Sequence, residues 1–160
     1  MKKTKSLTMY GVIAALYVVI TLGLSATSFG AVQVRFSTSL FQLMAYSSGY
    51  GVPLVLGTLI ANAFSPLGVI DMFFGGLTSL SAVLIDIIAF KFVKNKTARK
   101  YIAAFAITFS SIFVALELHM LYSLPILPTW GTVALGQAIS QVIGIPLFTL
   151  INKKFPLQIK

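Results

Sequence analysis

Asp71, Asp86 and Glu117 are the whole acidic complement of a 160-residue chain, and each lies inside a long apolar stretch. A carboxyl group there is costly unless it is paired, neutralised or bound, so each marks a place that handles a proton, a cation or a hydrogen-bonding solute. Gln33, Arg35, Asn62, His119, Trp130 and Gln137 add amides, a guanidinium, an imidazole and an indole near the ends of apolar runs. Such groups suit recognition of a small, flat solute carrying donors and acceptors. They do not suit catalysis. There is one histidine and no cysteine, and no Gly-x-Ser-x-Gly elbow, paired metal-ligand motif or Walker loop is present. Glu117 and His119, two apart on a helix, project about 200° from one another and do not share a substrate atom. The pattern therefore predicts a binding protein with no metal, no cofactor and no enzymatic centre.

These residues need elements to position them, and the composition says which kind. The chain is 58% hydrophobic and 9% charged, with a mean hydropathy of +0.95. A soluble domain is about a quarter charged, so the deficit points to a bilayer. A crossing helix needs roughly 20 apolar residues. The apolar runs predict helices over 7–26, 38–46, 52–64, 69–93, 101–122 and 129–151, separated by polar, Gly- or Pro-containing turns. The second and third are too short to span comfortably. Short helices are tolerated where they are packed in protein or line a cavity. The first run is long for a signal peptide and lacks a convincing cleavage site, so it reads as a retained helix. The expectation is one domain over 1–160, an all-α polytopic six-helix bundle.

Charge gives the orientation. Lys2, Lys3 and Lys5 precede the first run, Lys91, Lys94, Lys96, Arg99 and Lys100 share one stretch, and Lys153, Lys154 and Lys160 close the chain. Only Arg35 falls elsewhere. Six crossings put all three basic segments on one side, which the positive-inside rule makes cytoplasmic. Such clusters touch anionic lipid, and nucleic acid is not expected despite the net charge of +9. Gln33, Arg35, Asn62, Asp71, Glu117, His119, Trp130 and Gln137 then all fall in the outer half of the bundle.

Structural readings stand beside the functional ones. Asn62 and Asp71 have the chemistry of helix caps, and Arg35 of a partner for Asp71 or for lipid phosphate. His119 and Trp130 suit a membrane interface. Glu117, between Leu116 and Leu118, favours a ligand role. Asp86 lies in the inner half, where a snorkelling Lys91 or Lys94 would pair with it. Gly11 and Ala15 form a small-xxx-small pair on the first helix, a surface for close helix approach.

The stretches Ser28-Phe29-Gly30-Ala31-Val32-Gln33-Val34-Arg35-Phe36-Ser37, Leu59-Ile60-Ala61-Asn62-Ala63-Phe64-Ser65 and Gly68-Val69-Ile70-Asp71-Met72-Phe73-Phe74-Gly75-Gly76 resemble the QueT family. So do Ala115-Leu116-Glu117-Leu118-His119 and Val133-Ala134-Leu135-Gly136-Gln137-Ala138-Ile139-Ser140. The resemblance implies a substrate-binding S component of an energy-coupling factor (ECF) transporter in a bacterial cell membrane, taking up a queuosine precursor. It further implies an outward-opening site closed by the loop after helix one. Its partners would be a membrane T component gripping Gly11 and Ala15, and two cytoplasmic ATPases. S components of this kind topple in the membrane to deliver their ligand.

Two positions depart from the family pattern. Thr38 follows the Arg-x-Ser triplet and Gln137 follows the glycine of the last helix, where the family carries acidic residues. Fewer carboxylates suit a less cationic ligand than an aminomethyl-deazaguanine: a neutral deazapurine, pyridoxine or hydroxymethylpyrimidine. A stand-alone proton-coupled transporter using Glu117, and an assembly protein without a ligand, are the other readings.

Overall fold

The computed structural model describes residues 2–29 and 33–158, with side chains from Ser6 onward. Residues 30–32 of the first loop, the side chains of Lys2, Lys3 and Lys5, and Lys160 lie outside that description.

Every regular element is helical among the described residues. In order they are α1 (Lys2–Gly23), α2 (Ser25–Ser28), a long 3₁₀ helix (Phe36–Ala45), a 3₁₀ turn (Ser48–Tyr50), α3 (Gly51–Ala63), α4 (Val69–Phe92), α5 (Lys96–Ser110), α6 (Ile112–Tyr122) and α7 (Ile126–Lys154). Among the described residues, four stretches are long and apolar enough to cross a membrane: Ser6–Gly23, Val69–Phe92, Lys96–Tyr122 and Ile126–Lys154. Large apolar side chains face outward on every side, including Leu7, Val19, Phe64, Phe73, Phe105 and Val142. A water-soluble monomer rarely exposes so much apolar surface, whereas lipid solvates it. The protein is a polytopic all-α membrane protein.

The expected second helix differs in kind and in place. It is a 3₁₀ helix from Phe36, and every residue from Ser37 to Ala45 is buried. At about 2.0 Å per residue it reaches further than an α-helix of the same length, though its hydrogen bonds are poorer. Protein contacts make up the difference, since α1, α5 and α7 all pack against it. Thr21 and Ser37 share a hydroxyl hydrogen bond of 2.6 Å, and Tyr46 donates its hydroxyl to the Phe148 carbonyl at 3.1 Å. A Cβ on Gly144 would stand 2.9 Å from Ser39 Cβ and 3.0 Å from its carbonyl oxygen, so α7 reaches the central helix only through a glycine.

The expected helix over 101–122 begins earlier and is broken. Asn95 caps it, its Oδ1 accepting from the Thr97 N–H at 2.8 Å. Ser111 interrupts it by donating its hydroxyl back to the Thr108 carbonyl at 2.6 Å, the local competition that bends helices at serine.

The contacts also fix directions. Tyr10 lies against Gly49 and Tyr17 against Gly57, so α1 and α3 run together; Gly51 meets Val83 and Gly76 meets Leu59, so α4 runs back. Arg99 donates to the carbonyls of Val93 and Phe90, both at 2.8 Å, and Lys100 donates to Thr149 Oγ1 at 2.8 Å. The finish of α4, the starts of α1, α3 and α5, and the finish of α7 thus share one end, here called the basic end. The core between the ends is apolar and includes Tyr17, Phe41, Met44 and Leu54.

Gly144→Val is expected to destabilise the protein by about 1–3 kcal/mol through overpacking against the backbone at Ser39. Thermal unfolding in detergent would read this as a lowered midpoint; an unchanged midpoint would show that α7 can move away from the central helix.

Candidate functional site

The end opposite the basic one carries the polar groups, and a guanidinium organises them. Arg35 immediately precedes the 3₁₀ helix and is buried. Its Nη1 donates to Asn62 Oδ1 at 2.9 Å, and Asn62 Nδ2 donates to the Asp71 carbonyl at 3.1 Å. The Phe29 ring lies against the guanidinium, with its centroid 5.1 Å from Cζ. One extended loop and two helices are thereby joined through a single amide. Gly75 makes room for it, because a Cβ there would collide with Asn62 Nδ2.

Of the partners open to Arg35, Asp71 is not the one it bonds; the guanidinium donates to Asn62 instead. Asp71 and Glu117 are both buried near it, so the three ionisable groups lie in one part of the bundle. Asp71 is in the first turn of α4 but does not cap it. Gly68, at φ 57°, is the N-cap, and the Ser65 hydroxyl accepts from Leu67 N and Gly68 N at 3.1 and 3.2 Å. Asp71 instead helps wall a cavity.

Two cavities meet at Gln33. The larger, of about 430 Å³, is lined by Phe29, Gln33, Asp71, Leu118, Tyr122 and Thr129 among others. This volume falls in the range of small-molecule sites. The smaller, of about 10 Å³, touches Gln33, Arg35, Thr38 and Gln137. Nε and Nη2 of Arg35 and Oε1 of Gln33 and of Gln137, all on cavity-lining residues, are buried and unpartnered within the protein. Both oxygens of Glu117 are too, and Glu117 lines neither cavity, though its neighbour Leu118 lines the larger. Buried polar groups are ordinarily hydrogen-bonded, so these atoms have bonding capacity that the protein itself does not use. Gln33 also has a positive φ of 47°, uncommon outside glycine and asparagine and frequent at ligand clamps.

The structure brings Gln33, Arg35, Asn62, Asp71, Glu117 and Gln137 together, but not all in the same capacity. Asn62 has its amide engaged on both sides, which makes it a support for Arg35 and leaves edge reading to its neighbours. Trp130 is half-buried, edge-on to Phe109 with centroids 5.9 Å apart, with its Nε1 unpartnered. It lines neither cavity. His119 stands apart: it is exposed, and its Nδ1 is 2.7 Å from the Leu124 carbonyl oxygen, bracing the turn at left-handed Ser123. Tyr46, an aromatic that could otherwise stack on a planar solute, bonds Phe148 toward the basic end. Asp86 is fully buried with both oxygens unpartnered, while Lys91 and Lys94 are exposed, so the expected pair is absent. Gly11 and Ala15 face outward, and nothing approaches the position of a Gly11 Cβ.

Reading the sequence missed the cavity walls at Leu118, Tyr122 and Thr129, which look like ordinary helix ends, and it missed Gln42 and Gln141. The i, i+4 spacing of Gln137 and Gln141 was the available signal, since it puts both amides on one face of α7.

A partly open, ligand-sized cavity beside buried polar groups, in an all-α bundle of lipid-facing helices, makes this a polytopic membrane protein with room for a small solute. The sequence pattern of the QueT transporters matches residues 7–153. The queuosine precursor transporter QueT of Lactococcus lactis subsp. cremoris (strain MG1363) is 35% identical over 168 residues, covering 98% of this chain and 99% of that protein. The chain belongs to the QueT transporter family, a family of transporters and not of enzymes. No solved structure matches it.

Gly75→Ala should push the Asn62 amide off Arg35 and destabilise the protein by about 1–3 kcal/mol. Adding Asn62→Ala should recover part of that loss, because the colliding group is gone. Melting midpoints of the two single variants and the double variant test this; strictly additive losses would contradict the packing described.

Proposed function

We propose that this protein is the substrate-binding S component of an ECF importer for a queuosine precursor of the deazaguanine type. The observation that carries the reading is the set of unpartnered buried groups on Glu117 and Arg35, with Leu118, next to Glu117, and Phe29, against Arg35, lining a cavity of about 430 Å³. Acceptors on Glu117 match the ring N–H and exocyclic amine of a guanine-type edge. The free Nε and Nη2 of Arg35 match its carbonyl oxygen, as charge-assisted bonds in a site of low dielectric. Phe29 supplies a ring face at the wall, and Gln33 and Gln137 supply further acceptors. Family membership supports the solute class, since the Lactococcus relative is named a queuosine precursor transporter.

The membrane arrangement proposed has six crossings: the four long spans, the 3₁₀ helix and α3, the last two as short passages. Their alternating direction supports this. The exposed Lys91, Lys94, Lys96, Lys153 and Lys154 gather at the basic end, which favours a cytoplasmic position for it. The polar site then opens outward. Transport would need a T component, for which the outward-facing Gly11 and Ala15 offer a close-approach surface, and two ATPases on the cytoplasmic side. Binding would close the segment carrying Phe29 and Gln33 over the solute, a change in surface that a partner can sense.

The charge balance bears on which precursor is preferred. Thr38 donates its hydroxyl to the Arg35 carbonyl at 2.7 Å, and Gln137 presents a neutral amide. The site thus sets two carboxyl groups against one guanidinium, a weaker demand for a cationic amine than the family pattern makes.

Glu117→Gln is expected to weaken binding of 7-aminomethyl-7-deazaguanine and its neutral 7-cyano counterpart at least about tenfold, about 1.4 kcal/mol, with the melting midpoint retained. Calorimetric titration in detergent reads both. Unchanged affinity would remove Glu117 from the site, and failure of either compound to bind the native protein would remove the deazaguanine reading.

A further inference from the structure

Beneath the site a buried network leads away from Arg35 toward the basic end. Thr38 donates to the Arg35 carbonyl twice, through its hydroxyl at 2.7 Å and its backbone N–H at 3.0 Å. The Thr38 carbonyl in turn accepts from Gln141 Nε2 at 2.7 Å. Gln141 Oε1 accepts from Gln42 Nε2 at 2.8 Å, and the same Gln42 nitrogen donates to the Lys100 carbonyl at 3.1 Å. Gln42 and Gln141 are both buried, and neither lines the cavities.

We infer that Gln141 is a positioning residue for the solute site: by holding the Thr38 carbonyl it holds the first turn of the 3₁₀ helix, and with it Arg35. Two features make this turn dependent on outside support. A ten-residue 3₁₀ helix has strained hydrogen-bond geometry of its own. Ahead of it, Gln33 is in the left-handed region, so the chain entering the turn is not regular structure that could hold Arg35 from that side. Asn62 fixes the guanidinium end of Arg35, and Gln141 acts on its backbone end through Thr38. Loss of the Gln141 amide leaves the Thr38 carbonyl buried without its side-chain donor, a cost relieved only if the turn shifts. A shifted turn carries Nε and Nη2 away from the place where a solute would meet them. This inference rests on the reading of Arg35 as part of the solute site.

The test uses Gln141→Met, which keeps the length and apolar character of the position and removes the amide. The chain has no cysteine, so Val34→Cys, next to Arg35 and half-buried, provides a single thiol for labelling by a water-soluble maleimide. Labelling in detergent is expected to be several-fold faster with Gln141→Met and unaltered with Thr149→Val, which removes only the hydroxyl that accepts from Lys100. Thr38→Val, which removes one of the two bonds to Arg35, should accelerate labelling as well and serves if Gln141→Met does not fold. Affinity for 7-aminomethyl-7-deazaguanine should fall at least fivefold with Gln141→Met, and Arg35→Ala combined with it should bind no worse than Arg35→Ala alone. Unchanged labelling, equal acceleration by Thr149→Val, or losses of affinity that multiply would overturn the inference. If the native protein binds no deazaguanine, it is the solute reading that fails, and the labelling rates alone decide whether Gln141 positions Arg35.

Discussion

A permanently charged guanidinium enclosed in an apolar bundle has few ways to be stable, and the arrangement around Arg35 follows from that constraint. An ion pair would neutralise it, but would also consume the carboxyl group. The protein instead gives one N–H of Arg35 to a neutral amide and leaves the Asp71 and Glu117 carboxyl groups outside any ion pair with it. The guanidinium is held in place while two of its nitrogens and both Glu117 oxygens keep their bonding capacity. A buried pair with every bond made would be rigid and would have little to offer a solute.

Much of the surrounding architecture serves this one placement. Asn62 fits because residue 75 is a glycine; its Oδ1 accepts from Arg35 while its Nδ2 donates to the Asp71 carbonyl and ties the assembly to the start of α4. The 3₁₀ helix carries Arg35 on one end and is gripped along its length by α1, α5 and α7. Glycine at 144 lets α7 come close enough to deliver Gln141 to that helix. The apolar outer surfaces of the helices meet lipid and leave the interior free to be polar.

The parts legible in the sequence were those set by composition and depth. Apolar runs and basic segments located the long helices and their ends. Asn62, Asp71, Glu117 and Gln137 inside apolar runs, and Arg35 in the connector between the first two, fell at one level. Other features depend on contacts between elements that a single sequence does not display. Nothing in residues 36–45 distinguishes a 3₁₀ helix from a short α-helix, because its geometry comes from the walls around it. His119 looks like a site residue by type, yet its ring is occupied by a carbonyl five residues on, across a turn made by left-handed Ser123. Asp86 sits within sequence reach of Lys91 and Lys94, but it faces the interior and they face out.

The central claim is that the buried groups of Glu117 and Arg35 together recognise a deazaguanine edge. Native mass spectrometry of the protein purified from cells supplied with a queuosine precursor tests it most directly. The account predicts an adduct with the mass of a deazaguanine on the native protein, lost from variants at Glu117 or Arg35. A retained adduct in those variants, or a bound molecule lacking the amino-oxo-pyrimidine edge, would contradict it.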